Sequence, residues 1–522
     1  LLVVFPTFFV CVSSYKFLAY SPQFANSHVN FMARISDTLV EAGHDVVLLS
    51  PVMDLNVRGP GTRKPRVIEI EQDDKGREFE DKMNGDIGRN AWRAQNSYSI
   101  FADWIKVYEV WVELCNTTIY HPGLLEQLRA EQFDVGYAES IDHCAIGLFH
   151  LLGINKYALT ESLASKDGFF EINQVQSNPA YVPTIMGGQF GEDLTFIERC
   201  INTFNFLYLQ HYNYRPFPIY QGMFEKNWPG FPDIKGLMSN ASLIFLNSDP
   251  LVDFPKPSSS RIIDIGGISV HDGYKPLNET WSKMLDLRPQ TVLISFGTFA
   301  KAHLMPESYK ETIRKTVKKF PNVTFIWKYE KPEDNVSEGI PNLIESTWIP
   351  QHDMLHDPRL SAFITHCGQG STTEANTAGV PLVVIPVAFD QVRNAYQVKR
   401  NGVGVIMDKT ELGKVGKLEE AIKEILSNPK YQQRAKKIQQ MLEDRPFNMK
   451  DTFVRHMEFL AKHGPLRQLD HYGRHLNFFQ YYLIDVAAFA FGLLSLAIIS
   501  VLFIVKVLIS QLPISIRKVK QN

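Results

Sequence analysis

An imidazole at His366, followed by Cys367, Gly368, Gln369, Gly370 and Ser371, is a run of residues that can bind an anion. Leu360–Thr365 just before it is mostly apolar and rich enough in β-formers for a buried parallel strand. Gly368 and Gly370 let the backbone turn tightly and come close to a ligand. Ser371 and Glu374 have the spacing of a capping box, which predicts a helix starting there and ending near Gly379, ahead of Pro381. Residues 382–385 read as the next buried strand, and Asp390 stands where another helix would begin. His366 and the free amides of the first helix then converge beyond the carboxyl end of a strand. That is an anion site of phosphate type in an α/β sheet.

A capped helix after a glycine turn occurs in many α/β proteins, and an isolated histidine more often packs in a core than holds a phosphate. The joint spacing is more specific. Trp348-x-Pro350-Gln351 is followed by His366-x-Gly368, Glu374 comes eight residues after that histidine, and Asp390-Gln391 begins sixteen residues after Glu374. The pattern resembles the donor signature of the UDP-glycosyltransferases. The resemblance covers nearly the whole chain and points to the membrane-bound, nematode-like animal UDP-glucuronosyltransferases.

That resemblance implies an α/β fold of two Rossmann-like domains facing across a cleft (GT-B type), with one C-terminal transmembrane helix. It implies that Trp348 stacks on uracil and that Gln351 bonds the nucleoside. His366, the amides around Gly368 and the Ser371 hydroxyl would hold the diphosphate. Glu374 would accept from the ribose hydroxyls, and Asp390 and Gln391 would contact the sugar. Gly297 and Thr298, after a strand at 291–295, resemble a second phosphate-side loop. These types suit the work: a flat aromatic for a base, donors for an anion, a carboxylate for a diol. Where relatives usually carry Asn, this chain has Gly370, so a side-chain donor near the phosphates is missing.

The elements that must position these residues are legible in turn. With 522 residues, the chain can bury two α/β domains. A net charge of −2 gives no case for nucleic acid. The five cysteines, at 11, 115, 144, 200 and 367, form no Cys-x-x-Cys pair, and Asp-x-Asp is absent. A metal-independent mechanism is therefore expected, and the resemblance implies a transferase with no cofactor that takes a UDP-sugar as co-substrate. Residues 1–14 read as the end of a signal peptide. Residues 15–255 form an acceptor domain opening with strand, helix and strand at 15–20, 28–41 and 45–50. Further on lie an irregular stretch at 54–100, a helical one at 101–130, a strand at 133–139 and a helix at 143–152. Residues 161–192 lack a pattern, and 193–226 read as a hydrophobic helix.

The Pro/Ser-rich stretch 253–260 reads as the hinge. Within it, Lys256 is either a cation for the donor or a solvated linker lysine. Residues 256–470 form the UDP-sugar domain, whose last helix crosses back onto the first. Residues 483–505 form an apolar helix of roughly 35 Å, enough to cross a bilayer. Residues 506–522 are a basic, cytoplasmic tail ending in a Lys-x-Lys-x-x pattern that resembles a retrieval signal of the endoplasmic reticulum. The catalytic bulk would then be lumenal. Sequons at Asn116, Asn240, Asn278, Asn322 and Asn335 agree with that, Asn335 being the best placed for glycosylation.

Transfer needs a base for the acceptor hydroxyl. His28 opens the first helix and resembles the catalytic histidine of the family, with Glu139 in the place of its acidic partner and Asp142 as a nearby alternative. Both His28 and Glu139 lie at carboxyl ends of strands, so both can face the cleft. The reading is an inverting glucuronosyltransferase taking UDP-glucuronate, a small lipophilic acceptor and a membrane as partners, and homo-oligomers are compatible with it. One rival uses UDP-glucose. Another, from a different class, is an inactive membrane-tethered binder of apolar ligands.

Overall fold

The computed structural model describes residues 14–511 except 55–56, 58, 72–87, 94–96, 165–174, 176, 186–189, 271–272 and 299. The expected signal peptide (residues 1–13 of it) and most of the basic tail (512–522) lie outside the described residues.

Continuous apolar runs demand burial on both faces, and parallel sheets covered by helices provide it. The first sheet contains β1 (Lys16–Tyr20), β2 (Asp45–Pro51), β3 (Arg66–Ile70), β4 (Val135–Glu139), β5 (Tyr157–Glu161), β6 (Leu243–Leu246) and β7 (Ile262–Asp264). They are all parallel, in the order β3-β2-β1-β4-β5-β6-β7. The second contains β8 (Gln290–Ser295), β9 (Val323–Lys328), β10 (Leu343–Ser346), β11 (Leu360–Thr365), β12 (Leu382–Val384) and β13 (Gly404–Ile406). Its order is β10-β9-β8-β11-β12-β13, again all parallel. The strand order reverses between β1 and β4 in one sheet and between β8 and β11 in the other. Crevices outside the carboxyl ends of strands open at such points.

Most expected elements are where periodicity put them, including the helix Asn26–Glu41, while the single helix expected over 193–226 is broken at Arg215–Pro216 into Phe196–Tyr214 and Pro216–Asn227. Four expectations need correction. The stretch 54–100 contains the edge strand β3 and the helix Gly88–Trp92. That helix belongs to the second domain's core: Trp92 is fully buried against Phe296 and donates its indole N–H to the Lys301 carbonyl at 3.0 Å. The segment 253–260 is a pinned anchor instead of a free hinge. Asp253 is buried, takes Lys256 Nζ at 2.5 Å and pairs with Arg393 of the second domain at 2.8 Å. The chain then still adds β7 to the first sheet, so the crossing comes after Asp264. Lys256 is neither a solvated linker lysine nor a free cation, since it also donates to Ser248 Oγ at 2.9 Å.

The return helix Met449–His463 packs on the first domain, with Phe453 edge-on to Phe245 at 4.8 Å and Lys156 Nζ donating to the Ala461 carbonyl at 2.6 Å. Residues 468–522 form a separate unit. Within it, the apolar helix Ile484–Ser510 has 27 residues, none of them buried, and is long enough to cross a bilayer. It runs beyond the expected end at 505, taking Lys506 into its last turns, where a long side chain can reach a polar interface.

Candidate active site

The helix Asn26–Glu41 follows β1 through Ala25, a non-glycine residue at φ 49°. Two other loops leaving strands turn the same way, through Cys367 at φ 65° after β11 and Phe389 at φ 56° after β12. Such conformations persist only where the surroundings over-determine them, commonly at functional sites. Each of the three lies close in sequence to a residue expected to act: Ala25 three residues before His28, Cys367 directly after His366, and Phe389 directly before Asp390.

His28 Nδ1 lies 2.8 and 2.9 Å from the two oxygens of Glu139, at the end of β4. Ser162, the residue after β5, completes the group: its Oγ is 2.9 Å from Nδ1 and its amide donates to Glu139 Oε1 at 3.0 Å. Burial works against a charged imidazole here, but the Glu139 carboxylate outweighs it, helped by Glu161 and by Asp390 from the other domain, so the His28 pKa is raised. Burial likewise opposes ionisation of Glu139, and His28 with Ser162 reverses that and lowers its pKa. Every hydrogen bond to the ring among the described residues is to Nδ1, so Nε2 remains for a substrate proton. Asp142 is no alternative. It is buried under the sheet end, where it accepts from Tyr220 at 2.6 Å and the Cys144 amide at 2.9 Å, and burial pushes its pKa up to about 6.

The second domain presents its groups at the matching switch point. His366 packs closely against two glycines: a Cβ on Gly297 would sit 2.6 Å from Cε1, and one on Gly368 2.5 Å from Nε2. Burial, then the charge of Lys328, lowers the His366 pKa to about 4, so the ring is neutral at pH 7 and can donate only one hydrogen bond. Lys328, at the end of β9, donates to the Gly297 carbonyl at 2.6 Å and puts a cation beside this loop. Sequence reading missed it, although it ends a strand next to the switch point, which was the available signal. Ser162 was missed because β5 itself went unread.

The expected capping box does not form. The helix Gln369–Ala378 starts earlier, with Gly368 at its N-cap and no side-chain cap. Ser371 and Glu374 are instead bound by Gln351 Nε2, at 3.2 and 2.6 Å. Burial raises the Glu374 pKa, an effect this hydrogen bond opposes. The Trp348 side chain is 61% exposed, a flat surface open to a ligand. Thr298 is exposed beside Gly297. Asp390 caps the helix Gln391–Asn401 by position and accepts from Asn394 Nδ2 at 2.6 Å, while burial raises its pKa. Gln391 turns its carbonyl to the amides of Val387 and Ala388 at 2.8 and 2.9 Å, which leaves its NH2.

Among the described residues no group of three or more His, Cys, Asp or Glu side chains could hold a metal ion. The structure adds a disulfide between Cys115 and Cys144, which sequence spacing did not indicate.

Two parallel α/β sheets, each with its switch point, define the GT-B fold class of the glycosyltransferases. A solved structure described as the glycotransferase of kitacinnamycin shares the fold, with a TM-score of 0.57 and 18% identity over 86% of this chain and 99% of that one. The family described as UDP-glucoronosyl and UDP-glucosyl transferase matches residues 16–522, and the chain belongs to it. Among its relatives is ugt-48 of Caenorhabditis elegans, whose name places it with the UDP-glucuronosyltransferases, 29% identical over 96% of this chain and 95% of its own. Another, ugt-47 of Caenorhabditis briggsae, is 30% identical over 91% of this chain and 89% of its own. UDP-glucuronosyltransferase 1A7 of Mus musculus is 26% identical over 92% and 88%.

Proposed function

We propose that this glycosyltransferase moves glucuronate from UDP-glucuronate to the hydroxyl of a small lipophilic acceptor, in one inverting displacement without a metal or other cofactor. The observation that carries the reading is the His28–Glu139–Ser162 group, with Nε2 uncommitted and within the field of Asp390 across the cleft. His28 Nε2 takes the acceptor proton. The acceptor oxygen attacks the anomeric carbon, the bond to the diphosphate breaks, and UDP leaves with the electron pair. An α-linked donor gives a β-linked product. Glu139 fixes the tautomer and stabilises the imidazolium.

On the donor side, Trp348 stacks on the base, and Gln351 orients Glu374 for the ribose. His366, Lys328, the Gly297–Thr298 loop and the amides from Gly368 to Ser371 meet the diphosphate. Asp390 and the Gln391 amide hold the sugar. One observation favours UDP-glucose as a second reading: Arg393, the cation next to Asp390–Gln391 in sequence, is already paired with Asp253 and so is not offered to a glucuronate carboxylate. Release of UDP with each donor in turn, against a panel of phenols and alcohols, decides the point. Turnover with UDP-glucuronate is expected. Turnover with UDP-glucose alone selects the second reading, and no release from either leaves a tethered binder of apolar ligands.

The helix Ile484–Ser510 as a single membrane span, with residues before it in the lumen of the endoplasmic reticulum, completes the proposal. The Cys115–Cys144 disulfide supports an oxidising compartment. Protease added to intact microsomes should trim only the tail, and digestion of the two α/β domains would reverse this topology.

A further inference from the structure

We infer that a relay of amide hydrogen bonds, Gln369 to Asn247 to Ser162, positions the catalytic base from the donor loop of the other domain. Gln369 lies between Gly368 and Gly370, so its backbone belongs to the phosphate-side turn, but its side chain leaves the site. Its Nε2 crosses to the first domain and donates to the Asn247 carbonyl at 2.8 Å. Asn247 Nδ2 donates to the Ser162 carbonyl at 2.9 Å, and Ser162 touches both His28 and Glu139. Both links end on carbonyls, which only accept, so the NH2 end of each amide must face its partner. The amide oxygens, Gln369 Oε1 and Asn247 Oδ1, are buried without a partner. Neither residue reaches this arrangement to satisfy its whole side chain, and in each the donor end alone is used.

The consequence is geometric. β6 ends at Leu246, so Asn247 sits at the carboxyl edge of the first sheet, beside the end of β5. Ser162 is held at its carbonyl by Asn247 and uses its amide and hydroxyl on the dyad. A shift of the Gly368–Gly370 turn therefore pulls on the residue that aims Glu139 at Nδ1. The relay ties the donor loop to the base through three hydrogen bonds. The side chains of Gln369 and Asn247 touch no reacting atom and both substitutions below keep the backbone amides, so as side chains they are positioning residues.

This inference rests on His28 being the base, so His28→Ala is measured alongside. Asn247→Ala keeps the backbone carbonyl that Gln369 uses and cuts the second link. Gln369→Ala cuts the first and, lying half-buried at the start of its helix, spares the core. Each is expected to lower kcat for an aliphatic alcohol by about three- to tenfold, the range one hydrogen bond carries. UDP affinity by calorimetry should stay unchanged. The acid limb of the pH–rate profile should move to lower pH in both, because a loosely aimed Glu139 supports the imidazolium less. A residue that only supports packing would leave that limb in place. The double variant should lose no more than the worse single one, since both cut the same chain. Unchanged rates and limbs in both variants, additive losses, or loss of UDP binding in step with kcat would each overturn the relay. If His28→Ala loses the rate while these two keep it, only the relay falls. If His28→Ala keeps it, the base assignment falls and takes the relay with it.

Discussion

His28→Ala is expected to lower turnover of an aliphatic alcohol by about 10²–10⁴-fold, the worth of a positioned general base. UDP affinity should not change, because the ring lies in the first domain and every group proposed for the nucleotide lies in the second. A phenol ionises at high pH and then needs no base, so its rate in the variant should recover as pH rises, while an alcohol's should not. The wild-type pH profile carries its own sign. The pKa of His28 is raised, so the base is lost as pH falls through a value above the ordinary 6.5. In Glu139→Gln the negative charge that supports the imidazolium is gone, and the acid limb should shift to lower pH with a smaller loss of rate than in His28→Ala. Normal turnover of alcohols by His28→Ala would reduce the residue to a helix-start histidine. A parallel loss of UDP binding would make it a prop of the cleft.

Gly297→Ala should nearly abolish the diphosphate site, although it adds one methyl group. At φ 77° an L side chain costs about 1–2 kcal/mol. The added Cβ would also fall 2.6 Å from His366 Cε1, on a ring that Gly368 already approaches so closely that a Cβ there would lie 2.5 Å from Nε2. Either His366 must leave its place or the turn whose carbonyl seats Lys328 must shift. The charge-assisted bonds lost to a phosphate are each worth about 1.5–3 kcal/mol, so calorimetry should show UDP binding weakened by ten- to a hundredfold or more. Gly370→Asn is the contrast. A Cβ there meets nothing within 4 Å, so the chain should accept the side chain and bind UDP at least as tightly. Wild-type affinity in Gly297→Ala would remove the imidazole from the phosphate site.

Most strands of the two sheets, the donor turn, His28 and Glu139 were legible because their signals are local, while β3, β5, β7 and β10 went unread. Apolar runs bounded by Gly and Pro give strands, a period of 3.6 gives the helix after His28, and a residue at a strand's carboxyl end is placed by the strand itself. The apolar run near the C-terminus was equally plain, although its helix runs five residues past the expected end at 505. Ser371 and Glu374 show where local reading stops. Their spacing satisfies a capping box, but Gln351, some twenty residues upstream, takes both side chains, and the left-handed turn at Cys367 lets the helix begin two residues sooner than Ser371.

Long-range contacts decided the rest. Pro and Ser made 253–260 look like a hinge, while Arg393, one hundred and forty residues on, buries Asp253 and fastens that segment to the helix carrying Asp390–Gln391. Breaking such a buried pair by removing one partner typically costs about 3–5 kcal/mol, which no local composition reveals. Trp92 lies in a stretch without periodicity and still fills the other domain's core. Sequence by itself placed His28 and Glu139 near strand ends in one domain and the glycine turns in the other, because strand ends and glycine turns are specified by neighbours in the chain. Only the tertiary structure decided how the two are joined. Gln369, Asn247 and Ser162 are far apart in sequence, and hydrogen bonds between them exist only once β5, β6 and the donor turn lie side by side.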